Sequence, residues 1–228
     1  MCGRFALSTP IETLAASIDL QLSQEVMDFN PNWNIAPSSS APIVVQSKAD
    51  ASTAQGRTLR TMRWGFRPSW AKPSTREPIN ARSETVLHKP MFRSAFMERR
   101  AVVPANGWYE WMTTPQGKVP WYHQRSDGEL ALFAAVWERW QDESRTLHSF
   151  ALLTQEANED CSEVHNRMPV LISANDMEGW FNEGMLPPPT PKGTITRYPV
   201  SRDINRPGIN HPGLVEPLRT LFDQEYGV

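Results

Sequence analysis

The chain has 228 residues, of which 39% are hydrophobic, 21% charged and 10% aromatic, enough apolar content for a packed core and too little charge for a disordered chain. Two Cys, at positions 2 and 161, and five scattered His exclude a disulfide framework and a four-Cys zinc site, so neither a metal nor a cofactor is expected. A net charge of -2 excludes coating of nucleic acid by bulk electrostatics, and the lack of a long apolar run or secretory leader points to a cytoplasmic protein with no membrane partner.

Thr9-Pro10-Ile11-Glu12 reads as a capping box with Pro at the first helical position, and Ile11, Leu14, Ala15 and Ile18 follow at helical spacing. A short helix is predicted there. From Pro42 the pattern changes to brief β-branched or aromatic runs at 42–47, 58–66, 101–104, 107–112, 119–124, 130–138 and 147–154, separated by turn residues. Ser173-Ala174-Asn175-Asp176 resembles a helix cap before Met177, Trp180 and Phe181, Leu186–Pro191 can only be an extended loop, and a last short helix is expected over 213–223. Neither an internal repeat nor a long linker divides the 228 residues. The prediction is one α+β domain over 1–228, with a mostly antiparallel, twisted or barrel-like sheet and peripheral short helices.

Charge is uneven along this chain. Residues 57–100 hold eleven Lys and Arg against three Asp and Glu, while the rest holds twelve against twenty-two. The same segment carries Trp64, Phe66, Trp70, Phe92 and Phe96. Basic side chains mixed with aromatics suit a groove where phosphates pair and bases stack, although a solvated strand face over core aromatics gives the same pattern.

Cys2 is the most informative position. An initiator Met before a residue as small as Cys is usually trimmed, which would leave a chain beginning with cysteine. Its α-amine, with a pKa of about 7.7–8.0 against about 10.4 for Lys, is partly neutral and nucleophilic at pH 7. The thiol lies two carbons from that nitrogen, so an aldehyde caught as an imine can be closed by sulfur into a five-membered thiazolidine. Neither an internal Cys nor an N-terminal Ser gives the same product.

Met1-Cys-Gly-Arg-Phe5, Trp33-Asn-Ile-Ala-Pro37, Trp64-Gly-Phe66, Ile79-Asn-Ala-Arg-Ser-Glu-Thr85, Pro104-Ala-Asn-Gly-Trp-Tyr-Glu-Trp111 and His165-Asn-Arg-Met-Pro169, in this order and spacing, resemble the SOS-response-associated peptidase (SRAP) family from residue 2 to about 205. The resemblance implies a protein that recognises abasic sites in single-stranded DNA and joins them covalently through its N-terminal Cys. It implies Cys2 as nucleophile and Asn80, Glu110 and His165 as the polar residues around it. An abasic sugar rests as a closed hemiacetal, so Glu110 and His165 are the candidates that shuttle protons, and Asn80 orients without changing charge. Arg82 shares a face with Asn80 if this segment is a strand. With Arg4 and Arg167 it is expected to hold phosphates, while Pro37 and Trp70 act as apolar wedges and Asn34 lies in a matching DNA-contacting motif. Pro68-Ser-Trp-Ala-Lys-Pro73 departs from the family's Trp-Trp pair, and Met168 stands where a second Arg can occur.

Three readings stay open. The leading one is a crosslinking enzyme that shields the lesion as a thiazolidine, with an imine that can also promote lyase cleavage. The others are a thiol (auto)peptidase using Cys2 with Glu110, His165 and Asn80, and a simple single-stranded DNA-binding module. A monomer is expected, associated with the nucleoid when bound to DNA.

Overall fold

The β-branched runs fold as strands in the computed structural model, which describes residues 2–46 and 56–218. The chain enters through β1 (Phe5–Leu7), α1 (Ile11–Ser17), β2 (Gln21–Leu22), β3 (Asn32–Ile35), β4 (Ser40–Gln46), β5 (Arg57–Trp64) and β6 (Asn80–Arg82). It continues through α2 (Pro90–Glu98), β7 (Arg100–Ala105), β8 (Gly107–Thr114), β9 (Gly117–Arg125), β10 (Ala131–Gln141) and β11 (Thr146–Glu156). Last come β12 (Arg167–Pro169), α3 (Met177–Glu183) and β13 (Ile195–Pro199), followed by 3-10 turns at Arg202–Asn205 and Pro212–Val215.

Strands β11, β10, β7, β4 and β5 pair in that order, and β5 pairs back to β11 in parallel, so the five close into a barrel. Just beyond that closure, β6 runs beside β11 and places Asn80 opposite Leu152. The second sheet has the order β13-β9-β8-β1-β3. Together they form one mostly β domain of α+β class, as expected. The barrel is filled by aromatic rings: Trp64 lies parallel to Phe150 at 6.3 Å, and the edge of Phe5 meets Trp64 at 5.1 Å. Each such pair contributes about 0.5–1.5 kcal/mol beyond the area it buries. All three residues of β1 are buried, Phe5 and Leu7 in the main core and Ala6 against Tyr109, Tyr122, Val200 and Ile204 on the other face.

Asn106 clamps the chain just after β1. Its Oδ1 accepts from the Ser8 amide at 2.7 Å and the Thr9 amide at 3.2 Å, while its Nδ2 donates to the Thr9 hydroxyl at 2.9 Å. This corrects the capping box. The Thr9 hydroxyl accepts from Asn106, and Pro10, expected at the first helical position, is instead the N-cap of α1, which begins at Ile11 and has no side-chain cap. The Ser173 cap forms, its side chain accepting from the Asp176 amide. The expected helix over 213–223 is corrected as well. The turn stops at Val215, because Pro217 disfavours helical geometry at Glu216, which is extended at φ -79 and ψ 137. Residues 219–223 lie outside the described residues. Gly65, at φ +137, ends β5 in a conformation that side chains rarely adopt. A Cβ at Gly107 would sit 2.3 Å from the His123 carbonyl, so only glycine lets β8 pass there.

Replacing Asn106 by Ala strands the Ser8 and Thr9 amides and is expected to lower the unfolding free energy by about 1–3 kcal/mol. Urea denaturation measures it; a wild-type midpoint and slope contradict the clamp.

Candidate functional site

The start of the chain is held between the two sheets. Tyr109 on β8 donates its amide to the Arg4 carbonyl at 2.9 Å, which continues the β1–β8 pairing toward Cys2. From the barrel side, Asn80 Nδ2 donates to the Cys2 carbonyl at 2.8 Å. Two residues expected to act together, Cys2 and Asn80, are thus joined directly although 78 positions separate them. The Cys2 side chain is fully buried and its Sγ lies 3.8 Å from the Arg4 carbonyl. Burial pushes the thiol pKa far above its usual range, and the nearby Glu110 carboxylate pushes the same way, so the sulfur carries its proton at neutral pH. Asn80 Oδ1 is buried with no hydrogen-bond partner among the described residues.

Glu110 shares the face of β8 that carries Trp108, a core residue, and is itself only 3% exposed. Burial disfavours its ionised form and pushes its pKa up to about 7. His165 stands in the loop before β12, with its ring against the Arg167 amide, which donates to Nδ1 at 2.9 Å. An imidazole that accepts at Nδ1 must, when neutral, carry its proton on Nε2. Its pKa is lowered, chiefly by burial, which favours that neutral form. Glu110 and His165 line one open cleft of about 490 Å³ together with Trp111, Lys118 and Asn205. Trp111 Nε1 donates to Asn205 Oδ1 at 2.7 Å and ties the rim to the 3-10 turn. Among the described residues no group of three His, Cys, Asp or Glu side chains gathers to hold a metal.

The residues expected to touch a strand divide into two sets. Arg82, Pro37 and Trp70 are exposed, Trp70 to 58%. Asn80 and Arg82 lie on a strand, on either side of buried Ala81, which meets the condition for their sharing a face. The Pro37 turn is linked to the loop bearing Trp70 through Arg63, which donates to the Ser38 hydroxyl at 3.2 Å and to Glu77 at 2.5 Å. Arg4, Asn34 and Arg167 are engaged within the fold. Arg4 Nη1 donates to Asn34 Oδ1 and, at 3.1 Å, to the Ile204 carbonyl. Asn34 spends its amide nitrogen on the Ile209 carbonyl at 2.7 Å. Both terminal nitrogens of Arg167 lie on Glu84, at 2.6 and 2.9 Å.

The aromatic part of the basic segment requires a correction. Trp64, Phe66, Phe92 and Phe96 are buried core residues, and only Trp70 remains outside. Phe92 and Phe96 lie one helical turn apart on α2, a spacing that serves helix packing. Several cations of the segment are also internal. Arg67 pairs with Glu77 at 2.6 Å and covers the Trp140 ring at 4.2 Å, and Arg100 donates to the Phe96 and Phe181 carbonyls at the ends of α2 and α3. The sequence reading passed over Lys118 and Asn205 as cleft residues. Only the pairing of β8 with β9 and the fold of the later turn bring them to Glu110, and no local pattern announces either.

A family model described as SOS response associated peptidase (SRAP) matches residues 1–207. The abasic site processing protein YoqW of Bacillus subtilis is 29% identical over 228 residues, covering 95% of this chain and 99% of its own. The abasic site processing protein HMCES of Gallus gallus is 28% identical, covering 99% of this chain and 80% of its own, and YedK of Escherichia coli is 25% identical, covering 96% and 100%. A crystal structure of a Bacteroides thetaiotaomicron protein, 22% identical, has the same fold, with a TM-score of 0.82 over 96% of this chain and 100% of the other. Since the family match takes in both sheets and every side chain of the cleft, the chain belongs to the SOS response associated peptidase family.

Proposed function

We propose that this protein processes abasic sites in single-stranded DNA by covalent capture at Cys2, once Met1 has been removed. The observation that carries the reading is Glu110, a carboxyl titrating near neutrality in a cleft beside the start of a chain whose first residue would bear both an amine and a thiol. The abasic names of the relatives support it independently.

Protonated Glu110 gives its proton to the ring oxygen of the sugar as the bond from that oxygen to C1′ breaks, the hydroxyl at C1′ passes its proton to water, and the ring opens to the aldehyde. The α-amine adds to C1′, water leaves from the carbinolamine, and an imine remains. The Cys2 sulfur then bonds to C1′ while its proton passes to nitrogen, closing a thiazolidine with net loss of one water. Asn80 Oδ1 suits an N–H of the α-amine, and His165, with its proton on Nε2, suits a donor to the sugar. A protonated, buried sulfur favours this order over a thiol peptidase, in which the thiolate attacks first. Arg82, Trp70 and Pro37 contact the strand from outside, whereas Arg4, held by Asn34 and the Ile204 carbonyl, and Arg167, held by Glu84, serve the site from within the fold. The contacts position the strand without reading its sequence. The protein acts as a monomer in the cytoplasm, on the nucleoid when bound.

Cys2→Ala keeps an amine and removes sulfur, so the heat-stable crosslink to an abasic oligonucleotide disappears on denaturing gels while imine-derived strand cleavage persists; an undiminished crosslink in this variant rules out the thiazolidine. The capture rate depends on pH as a bell. It rises as the α-amine loses its proton toward pH 8 and falls as Glu110 loses its own above about 7. In Glu110→Gln the alkaline fall disappears and the maximum drops by roughly a hundredfold; single-turnover rates across pH read both, and an unchanged bell excludes Glu110 as the acid. Because its folded pKa is raised, Glu110 contributes stability that is present below its unfolded pKa of 4.5 and lost as pH rises through about 7. Glu110→Gln therefore raises the unfolding temperature at pH 8 and leaves it nearly unchanged at pH 4, as thermal scans at the two pH values will report.

A further inference from the structure

We infer that Glu84 is a positioning residue for His165, acting through Arg167; this deepens the proposed function and rests on it for its catalytic meaning. Glu84 follows β6, four positions after Asn80. Its two carboxylate oxygens take both terminal nitrogens of Arg167, at 2.6 and 2.9 Å. Arg167 Nη2 also donates to the Thr154 carbonyl at 2.5 Å, and that same carbonyl accepts from the Ser83 amide at 2.9 Å. One peptide oxygen of β11 therefore anchors both the segment that carries Asn80 and the arginine that begins β12.

The backbone of that arginine does a second task. Its amide donates to His165 Nδ1, which commits the neutral ring to the Nε2–H form. A two-point carboxylate–guanidinium contact restricts Arg167 in rotation as well as in distance, more than one contact would. Glu84 thus restrains the arginine whose amide fixes the ring that lines the cleft with Glu110. The pair also ties the Asn80 segment and the His165 loop into one unit. Its stabilising effect is small: the Glu84 side chain is 49% exposed, and ion pairs with such a partner contribute about 0–1 kcal/mol. Glu84→Ala accordingly folds, and its consequences fall on the ring.

The test is the nitrogen shifts of the His165 ring, recorded by NMR on the full-length protein without DNA, in wild type, Glu84→Ala and Glu84→Gln. Wild type shows a single Nε2–H tautomer. Glu84→Ala shows a mixture of both tautomers, and Glu84→Gln, which keeps one acceptor oxygen, lies between. With abasic single-stranded oligonucleotide at saturation, Glu84→Ala slows capture by roughly ten- to a hundredfold, part of what a positioned proton donor contributes, and half-saturation stays near the wild-type concentration. A wild-type tautomer in Glu84→Ala overturns the inference, and so does slowing that saturating DNA abolishes. Failure of the wild type to form any crosslink removes the proposed function instead, and the tautomer comparison still decides what Glu84 does.

Discussion

The insertion of the first strand between two others is the constraint on which the rest depends. A chain terminus ordinarily frays, and ordering each backbone residue costs about 1–2 kcal/mol. Here Phe5 and Leu7 are fully buried, each contributing about 1.5–3 kcal/mol on burial, with amide hydrogen bonds from β8 and the Asn106 clamp added. The two sides of this balance are similar in size, so a terminus can be held as firmly as an internal strand. With β1 in place, the Cys2 carbonyl meets Asn80 across the gap between the sheets. In the proposed function the nucleophile on the first residue needs such an arrangement, because an amine at a frayed end reaches its target only for a small fraction of the time.

The burial that orders this end also sets its protonation. Cys2, Glu110 and His165 are all moved in the direction that favours the uncharged form, each chiefly by loss of water around it. The result is a site with a thiol, a carboxyl titrating near 7 and a neutral imidazole with its proton on Nε2. In the proposed function, proton transfer then falls to the carboxyl and first attack to the amine. The cost falls on stability, since a buried carboxyl that ionises near pH 7 opposes folding above that pH.

What was legible in the sequence was what runs of residue type carry. The long strands of the barrel, β4, β5, β7, β10 and β11, and the Ser173 cap follow from β-branched or aromatic runs and from capping within a few residues. The strands of two to four residues, β1, β2, β3, β6 and β12, have no run long enough to read, because their existence depends on partners far away in sequence. Asn80 and His165 stand on or beside two of these, so their site was visible only as motifs in a family order. In α2, Pro90 at the start and Phe92 and Phe96 a turn apart are a fair helix signal. The surrounding positive charge made the rings look like a base-stacking surface, and burial reverses that reading. Lys118 and Asn205 reach the cleft by tertiary geometry alone.

The basic segment shows how a charge count misleads when the fold spends the charge. Of its eleven Lys and Arg, Arg63 and Arg67 share Glu77, Arg99 pairs with Glu138, and Arg100 holds the ends of two helices. Lys72, Arg76, Arg82, Lys89 and Arg93 remain exposed. Those five follow Trp64, on the loop and helix around β6, rather than along the barrel strands. The internal cations still serve the site, since Arg63 and Arg67 grip Glu77 and so hold the loop that runs from Gly65 to Asn80. Charge in this segment therefore acts within the fold, as a clasp on the loop that leads to Asn80, and, in the proposed function, as exposed cations for a phosphate backbone. A patch of that size suits a protein whose hold on DNA, in the proposed function, comes from a covalent bond rather than from accumulated ion pairs.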